Sequence, residues 1–421
     1  MIVNDRETAP EFLMDALQRL GDPANARFVL PMLDSKRDVL RLKAVETLQS
    51  LETQSPPVLQ KLGPAILAQA RRQPAPEYAR SYAMALGAVR ARAATDYLIR
   101  AAGHTEAGPA LAATYLALGR IGAPSAVPVL TRALIAEFPK GRENAVQALV
   151  AIGDGSAVPR AFAQLAHERV ETRFAAAEVI AGIPLESSGP RALELLRERT
   201  PASLAPAAYV IARLKYRPAR GQVELQLSDA TAAEREALAR TLGWLGQSES
   251  VPLLLRVLAE ASGEGRYGAA WALGILGDAR ALDGLRQAAG SSDRKLALLA
   301  TEALGSLARP ESLPDLRRAV QAAGATRYAA VDAIGGTPGG EARLMLEEFA
   351  QSSDLELQLA AVRALAGRAD AAPASVPALI AIVDEGSTEG ARAAMAALRK
   401  LTGLPYENRS QWRHWFEMNG R

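Results

Sequence analysis

The chain has 421 residues, of which 49% are hydrophobic but only 5% aromatic, so its apolar content is mostly Ala, Leu and Val. That mixture suits closely packed helices and does not suit a β-sandwich, which draws on Val, Ile, Thr and aromatic residues. The absence of cysteine removes disulfides, thiolate metal sites and a cysteine nucleophile, and a net charge of +3 spread over 49 basic and 46 acidic residues is too small to mark a nucleic-acid binder.

The opening, Met1 to Phe12, is polar and mixed in charge, with no apolar stretch of a secretory signal. No segment reaches 18 uncharged apolar residues, so no membrane-spanning helix is expected. Both readings, with the missing cysteines, point to the cytoplasm. Residues 1–10 read as a flexible tail, and Glu11–Leu20 reads as the second helix of a pair that lacks its first.

From there on the chain repeats itself. The string Ala-Leu-Gly, or a close variant, has its third residue at Gln18, Gln49, Gly87, Gly119, Val150, Ala181, Ala212, Gly243, Gly274, Gly305, Gly335, Ala366 and Arg399. Between Gly119 and Ala366 the steps are 31 residues, with a single step of 30. A period of this size, held over many repeats, is the signature of a repeat array. The step from Gln49 to Gly87 is longer, and the turn-forming residues Glu52–Pro57 predict an extended loop there.

Other residues keep phase with this reference position. A leucine or isoleucine precedes it in every repeat, from Leu17 to Leu398. Glycine recurs three residues after it, as in Gly122, Gly153, Gly246 and Gly277, where it would end a helix at positive φ. Proline recurs nine residues after it, as in Pro128, Pro159 and Pro252, where it would open the next helix. Arginine recurs eight residues before it: Arg41, Arg142, Arg173, Arg235, Arg266 and Arg327. Each repeat is therefore expected to be a helix pair, for example a first helix over Ala126–Phe138 and a second over Glu143–Ile152. On a helical wheel the recurring arginine lies within about 20° of the leucine, so it should point into the stack and serve structure.

A 31-residue helix pair with Pro early in the first helix, Arg early in the second and Ala-Leu-Gly near its end resembles the HEAT-like repeats shared with phycobilin lyase subunits. The segments Ala113–Leu134 and Ala269–Ala288 carry the likeness best. The resemblance implies an all-α fold, an α-solenoid: one right-handed superhelix of about 12 to 13 helix pairs over residues 11–402, armadillo-like in architecture. It also implies that the second helices line a concave face, and that the recurring arginine meets an acidic or carbonyl partner in the preceding turn, as Asp229 before Arg235 would allow.

On the same wheel, positions −3 and +1 from the reference residue lie opposite the core and −7 lies on one flank. Across three consecutive repeats these positions hold Tyr209, Arg213, Arg240, Trp244, Tyr267, Trp271 and Ile275. Trp, Tyr and Arg are the residue types enriched at binding hot spots, so these seven form the candidate partner-binding site. The competing reading is that the aromatics wedge between neighbouring helices.

Residues that carry chemistry are sparse. The histidines His104, His167 and His414 stand far apart, and no HExxH, Walker A or GxSxG string occurs. The glycine pairs Gly335-Gly336 and Gly339-Gly340 fall in a turn after a second helix, with no strand before them, which does not make a phosphate loop. No catalytic, metal or cofactor site is expected. A class of alkylpurine DNA glycosylases shares the fold with Trp and Asp on a basic face, but here Glu178, Glu236, Glu302 and Asp332 interrupt the face, which is poor for phosphates.

The end of the chain, residues 403–421, leaves the pattern. Its Leu-Thr-Gly followed by Trp412 and Trp415 resembles the tail of many bacterial HEAT-repeat proteins, and the segment reads as a cap over the last apolar face. The expected function is a non-enzymatic protein–protein interaction scaffold or adaptor, cytoplasmic and bacterial. A nucleic-acid binder or a subunit of a lyase-type enzyme is the alternative.

Overall fold

A computed structural model describes residues 9–52, 56–200, 202–260, 263–322, 324–372 and 374–419. The expected tail over 1–10 lies outside these residues up to position 8. The helix then starts at Ala9, two residues ahead of the expected Glu11. Of the expected loop at Glu52–Pro57, positions 53–55 lie outside as well, and a helical turn begins already at Pro56.

Among the described residues the secondary structure is helical, with no strand. The chain divides into two compact halves, Met1–Val210 and Ile211–Arg421, and the boundary falls inside the helix Leu204–Arg213. Within each half helices alternate in pairs, and each second helix packs on the second helix of the repeat before it. In the first half the second helices include Asp38–Glu52, Pro76–Ala88, Pro109–Ile121, Pro139–Ile152 and Val170–Gly182. In the second half they are Ala232–Leu245, Gly265–Leu276, Arg294–Leu307, Ala325–Gly336, Leu355–Ala366 and Thr388–Thr402.

The leucine or isoleucine before each reference residue is buried in every repeat, from Leu17 through Leu118, Ile211 and Leu273 to Leu398. Burying such a side chain is worth about 1.5–3 kcal/mol, and a helix pair can do so only against its neighbours. The glycine three residues on caps its helix with left-handed backbone at Gly122, Gly153, Gly246 and Gly277, with φ between 64° and 72°. The same position keeps a positive φ where the residue is not glycine: Arg90, Lys215 and Ala308, at 49°, 50° and 51°. The turn is thus imposed by the repeat, and glycine is the residue that adopts it without strain.

The first helices are shorter than the sequence pattern suggests. Where Ala126–Phe138 is expected, a 3-10 turn over Pro124–Ala126 leads into a helix over Val127–Ala133 only. The second helix is correspondingly longer, Pro139–Ile152 instead of Glu143–Ile152, because Pro139 is itself a good opening residue. The same 3-10 entry recurs before Val251, Leu282 and Leu313.

The recurring arginines fold inward. Arg41 and Arg142 are buried. Each arginine donates to a carbonyl at the end of the preceding first helix or in the turn that follows it: Arg41 to Ser35 at 2.7 Å, Arg142 to Ala136 at 2.7 Å, Arg173 to His167 at 3.0 Å, Arg235 to Ser228 at 3.2 Å, Arg266 to Leu258 at 3.1 Å and Arg327 to Val320 at 3.0 Å. The last carbonyls of a helix have no partner within it and carry its negative pole, so a guanidinium there satisfies both needs. No helix among the described residues is long and apolar enough to cross a membrane.

Candidate partner-binding surface

The surface of the second helices is set by how closely they approach. A Cβ on Gly243 would stand 2.8 Å from the Cα of Ala272, and one on Gly274 would stand 2.8 Å from the Cα of Ala303. Gly305 meets Ala333 and Gly335 meets Ala364 in the same way. Each reference glycine therefore packs on the alanine two positions before the next reference residue. This is why Ala, Leu and Gly travel together: the leucine fills the core while the alanine and glycine let the backbones touch. The residue after the glycine is then brought beside the residue three before the next one.

Trp244 and Trp271 occupy those two positions. Their rings stand 5.6 Å apart, tilted by 50°. Such an aromatic pair is worth about 0.5–1.5 kcal/mol beyond its burial. Trp244 nevertheless remains 41% exposed, and Ile275, one turn on from Trp271, is 50% exposed. Arg240 lies over the Trp271 ring, 5.1 Å from its centroid, and pairs with Glu236 one turn back at 3.0 Å. The glutamate holds the guanidinium over the indole, and the cation–π contact adds to the clamp.

Tyr267 sits on the flank. Its hydroxyl donates to Asp293 of the next repeat at 2.7 Å, and Lys295 lies 4.1 Å from its ring centroid. That hydrogen bond raises the phenol's pKa and lowers the Asp293 carboxyl below the usual carboxylate range. Tyr328 repeats the arrangement two repeats later, donating to Glu356 at 2.5 Å. The flank tyrosines thus fasten one repeat to the next. Tyr209 belongs to the first half, where its ring meets Phe174 edge-on at 6.0 Å. Arg213 is exposed at the end of its helix in the second half. Within the second half the structure brings together Arg240, Trp244, Trp271 and Ile275, with Tyr267 turned toward the following repeat.

Sequence reasoning passed over Arg368, which is buried. It donates to the carbonyls of Ile334, Gly335, Thr337 and Gly339 at 3.2, 3.1, 2.6 and 3.0 Å, and pairs with Asp370 at 2.8 Å. The glycine-rich turn therefore offers its carbonyls to a cation. Arg368 holds the Asp370 carboxyl below the usual carboxylate range. At the end of the chain Trp412 is fully buried, its Nε1 donates to the Tyr406 carbonyl at 3.2 Å, and its ring meets Tyr406 and Trp415 edge-on. The helix carrying it, Arg409–Asn419, packs on the pair Val376–Glu385 and Thr388–Thr402.

Residues 63–137 and 223–305 match the HEAT-repeat family. No curated protein matches the chain. Among solved structures it is similar to yeast importin-β (Kap95p), with a TM-score of 0.62 at 14% identity, covering 93% of this chain and 63% of that one. The Kap95:Nup1 complex matches with a TM-score of 0.61 at 16% identity over 93% and 63%. A structure of Kap95p binding RanGDP gives 0.56 at 12% identity over 93% and 64%. The chain thus spans less than two thirds of the length of these structures, and identities this low carry the fold alone. Given the family match in both halves and the helix pair that recurs along each, residues 63–137 and 223–305 are HEAT repeats, and the chain has an all-α solenoid fold.

Proposed function

We propose that this chain is a non-enzymatic scaffold that docks a protein partner on the outward face of its second helices, the concave side in arrays of this kind. The observation that carries the reading is the Trp244–Trp271 pair, held in place by Arg240 and Glu236 yet open to solvent beside Ile275. A rigid aromatic pair with a positioned guanidinium is what an interface hot spot needs, because little side-chain freedom is lost on binding. An exposed apolar patch of this kind on a protein surface has a purpose. Tyr267 holds its flank, and Arg213 adds an exposed cation on the same half. The Kap95:Nup1 and Kap95p–RanGDP structures are of protein complexes built on this architecture, which supports the reading. The cytoplasm, suggested by the cysteine-free sequence, is where we assign the work.

A photo-crosslinking residue placed at Ile275 tests the docking face. It should trap a partner in the native host, whereas the same residue at Leu225, a first-helix position that is 64% exposed, should not. Trapping at Leu225 alone would place the partner elsewhere and defeat the reading.

A further inference from the structure

The close approaches from Gly243–Ala272 to Gly335–Ala364 keep the second helices of the C-terminal half in one register. Positions three before the reference residue therefore follow one another in a row: Arg240, Trp271, Glu302, Asp332, Arg363 and Ala396. The row changes character in blocks. It opens on the apolar surface of Trp244, Trp271 and Ile275. It continues with Glu302 and Asp332, both exposed on either side of a shallow depression floored by Gly305 and Ala333. It ends on a groove whose apolar floor, Leu359 and Val362, is flanked by exposed Arg363 and Lys400.

None of these four charges has an ion-pair partner among the described residues, whereas Arg240 in the same row is paired with Glu236. Arginines on the first helices are also paired across repeats, Arg286 with Asp315 and Arg317 with Glu348. The unpaired charges thus stand beside the aromatic pair, ordered as acidic and then basic.

Resting on the docking reading above, we infer that the occupant of this face is an extended peptide segment of complementary order: an apolar anchor on Trp244 and Trp271, then basic side chains opposite Glu302 and Asp332, then an acidic one opposite Arg363 and Lys400. Packed helices lie about 8–10 Å apart and an extended chain advances about 3.3 Å per residue, so the side chains that face successive second helices are about three residues apart. Charge order of this kind fixes register and rejects wrong partners more than it adds affinity.

The test uses the full chain and fluorescein-labelled synthetic peptides of about 14 residues, extended in Gly and Ser, with a leucine, two lysines and a glutamate about three residues apart. Each is made in both chain directions, beside partners with lysine and glutamate exchanged. Anisotropy should show one direction of the matched peptide binding at least about tenfold more tightly than its exchanged partner, with a steep loss in salt. The Glu302→Lys/Asp332→Lys variant, altered only at exposed positions and verified as folded by circular dichroism, should reverse that preference. Equal binding of matched and exchanged peptides, an unreversed preference in the variant, or no binding of any peptide would each overturn the charge order. If the peptides bind equally but lose affinity in Trp244→Ala/Trp271→Ala, the charge order falls and the docking face stands. If the Ile275 crosslinker traps nothing, the docking reading itself has failed.

Discussion

Gly243 rests against Ala272 so closely that a Cβ on the glycine would stand 2.8 Å from the alanine's Cα. The nearest atom belongs to the backbone, and the Ala272 Cβ at 3.0 Å and the Trp271 ring at 3.2 Å close the space around it. Gly243→Ala must therefore push two helices apart and should cost about 1–3 kcal/mol. Gly221 is a control within the same half: it lies in the helix Arg220–Asp229 with nothing within 4 Å of its would-be Cβ. There the same substitution should stabilise by about 0.4–1 kcal/mol, because alanine has less unfolded-state freedom to lose. Urea midpoints that move in opposite directions bear this out; a shared direction would mean that the glycine contact does not limit helix spacing.

Ala308 holds φ at 51° where sister repeats place glycine. An L-residue in left-handed backbone costs about 1–2 kcal/mol, and glycine's extra unfolded freedom returns part of that, so Ala308→Gly should stabilise by about 0.5–1 kcal/mol. Lys215→Gly and Arg90→Gly should act likewise. A lowered thermal midpoint in all three would show that the turn is not strained.

Arg368 is a guanidinium that binds four carbonyls of the preceding repeat. Arg368→Met would leave those carbonyls without their donor, and leaving buried acceptors unsatisfied costs about 1–3 kcal/mol. Arg368→Lys should rescue little, since an ammonium cannot reproduce the planar fork. A lysine variant as stable as the parent would reduce the arginine's role to charge alone.

Tyr82 is buried, and its hydroxyl donates to Asp34. Burial, then the Asp34 hydrogen bond, push its phenol well above the usual tyrosine range. A folded pKa raised above the unfolded one gives stability that is complete below the unfolded value of about 10 and is lost as pH rises from there toward the folded value. The parent should therefore lose more stability than Tyr82→Phe as pH rises past about 10, read from urea midpoints at each pH. Parallel curves for the two proteins would contradict this.

The helix-pair fold was legible in the sequence because positions −1, 0 and +3 each meet a constraint: a buried leucine or isoleucine, a close helix contact that leaves no room for a side chain where glycine stands, and a left-handed turn. Positive φ at Arg90, Lys215 and Ala308 shows that the third constraint belongs to the fold even where the letter changes. The lengths of the first helices were not legible, since the 3-10 entries obey the same proline and apolar spacing as a helix start. The partners of Tyr267, Tyr328 and Arg368 lie about one repeat period away, at Asp293, Glu356 and the Ile334–Gly339 turn. Pairings of that kind become visible only once the register between repeats is known. The Gly-to-Ala offset would have supplied that register, and with it the adjacency of Trp244 and Trp271.

The central claim is tested most directly by capture of partners from the native host, comparing the parent with Trp244→Ala/Trp271→Ala after circular dichroism shows both to be folded. A partner held by the parent and lost from the double variant is the predicted result. Retention of the same partners by both would contradict it, and would make the two tryptophans packing residues between repeats.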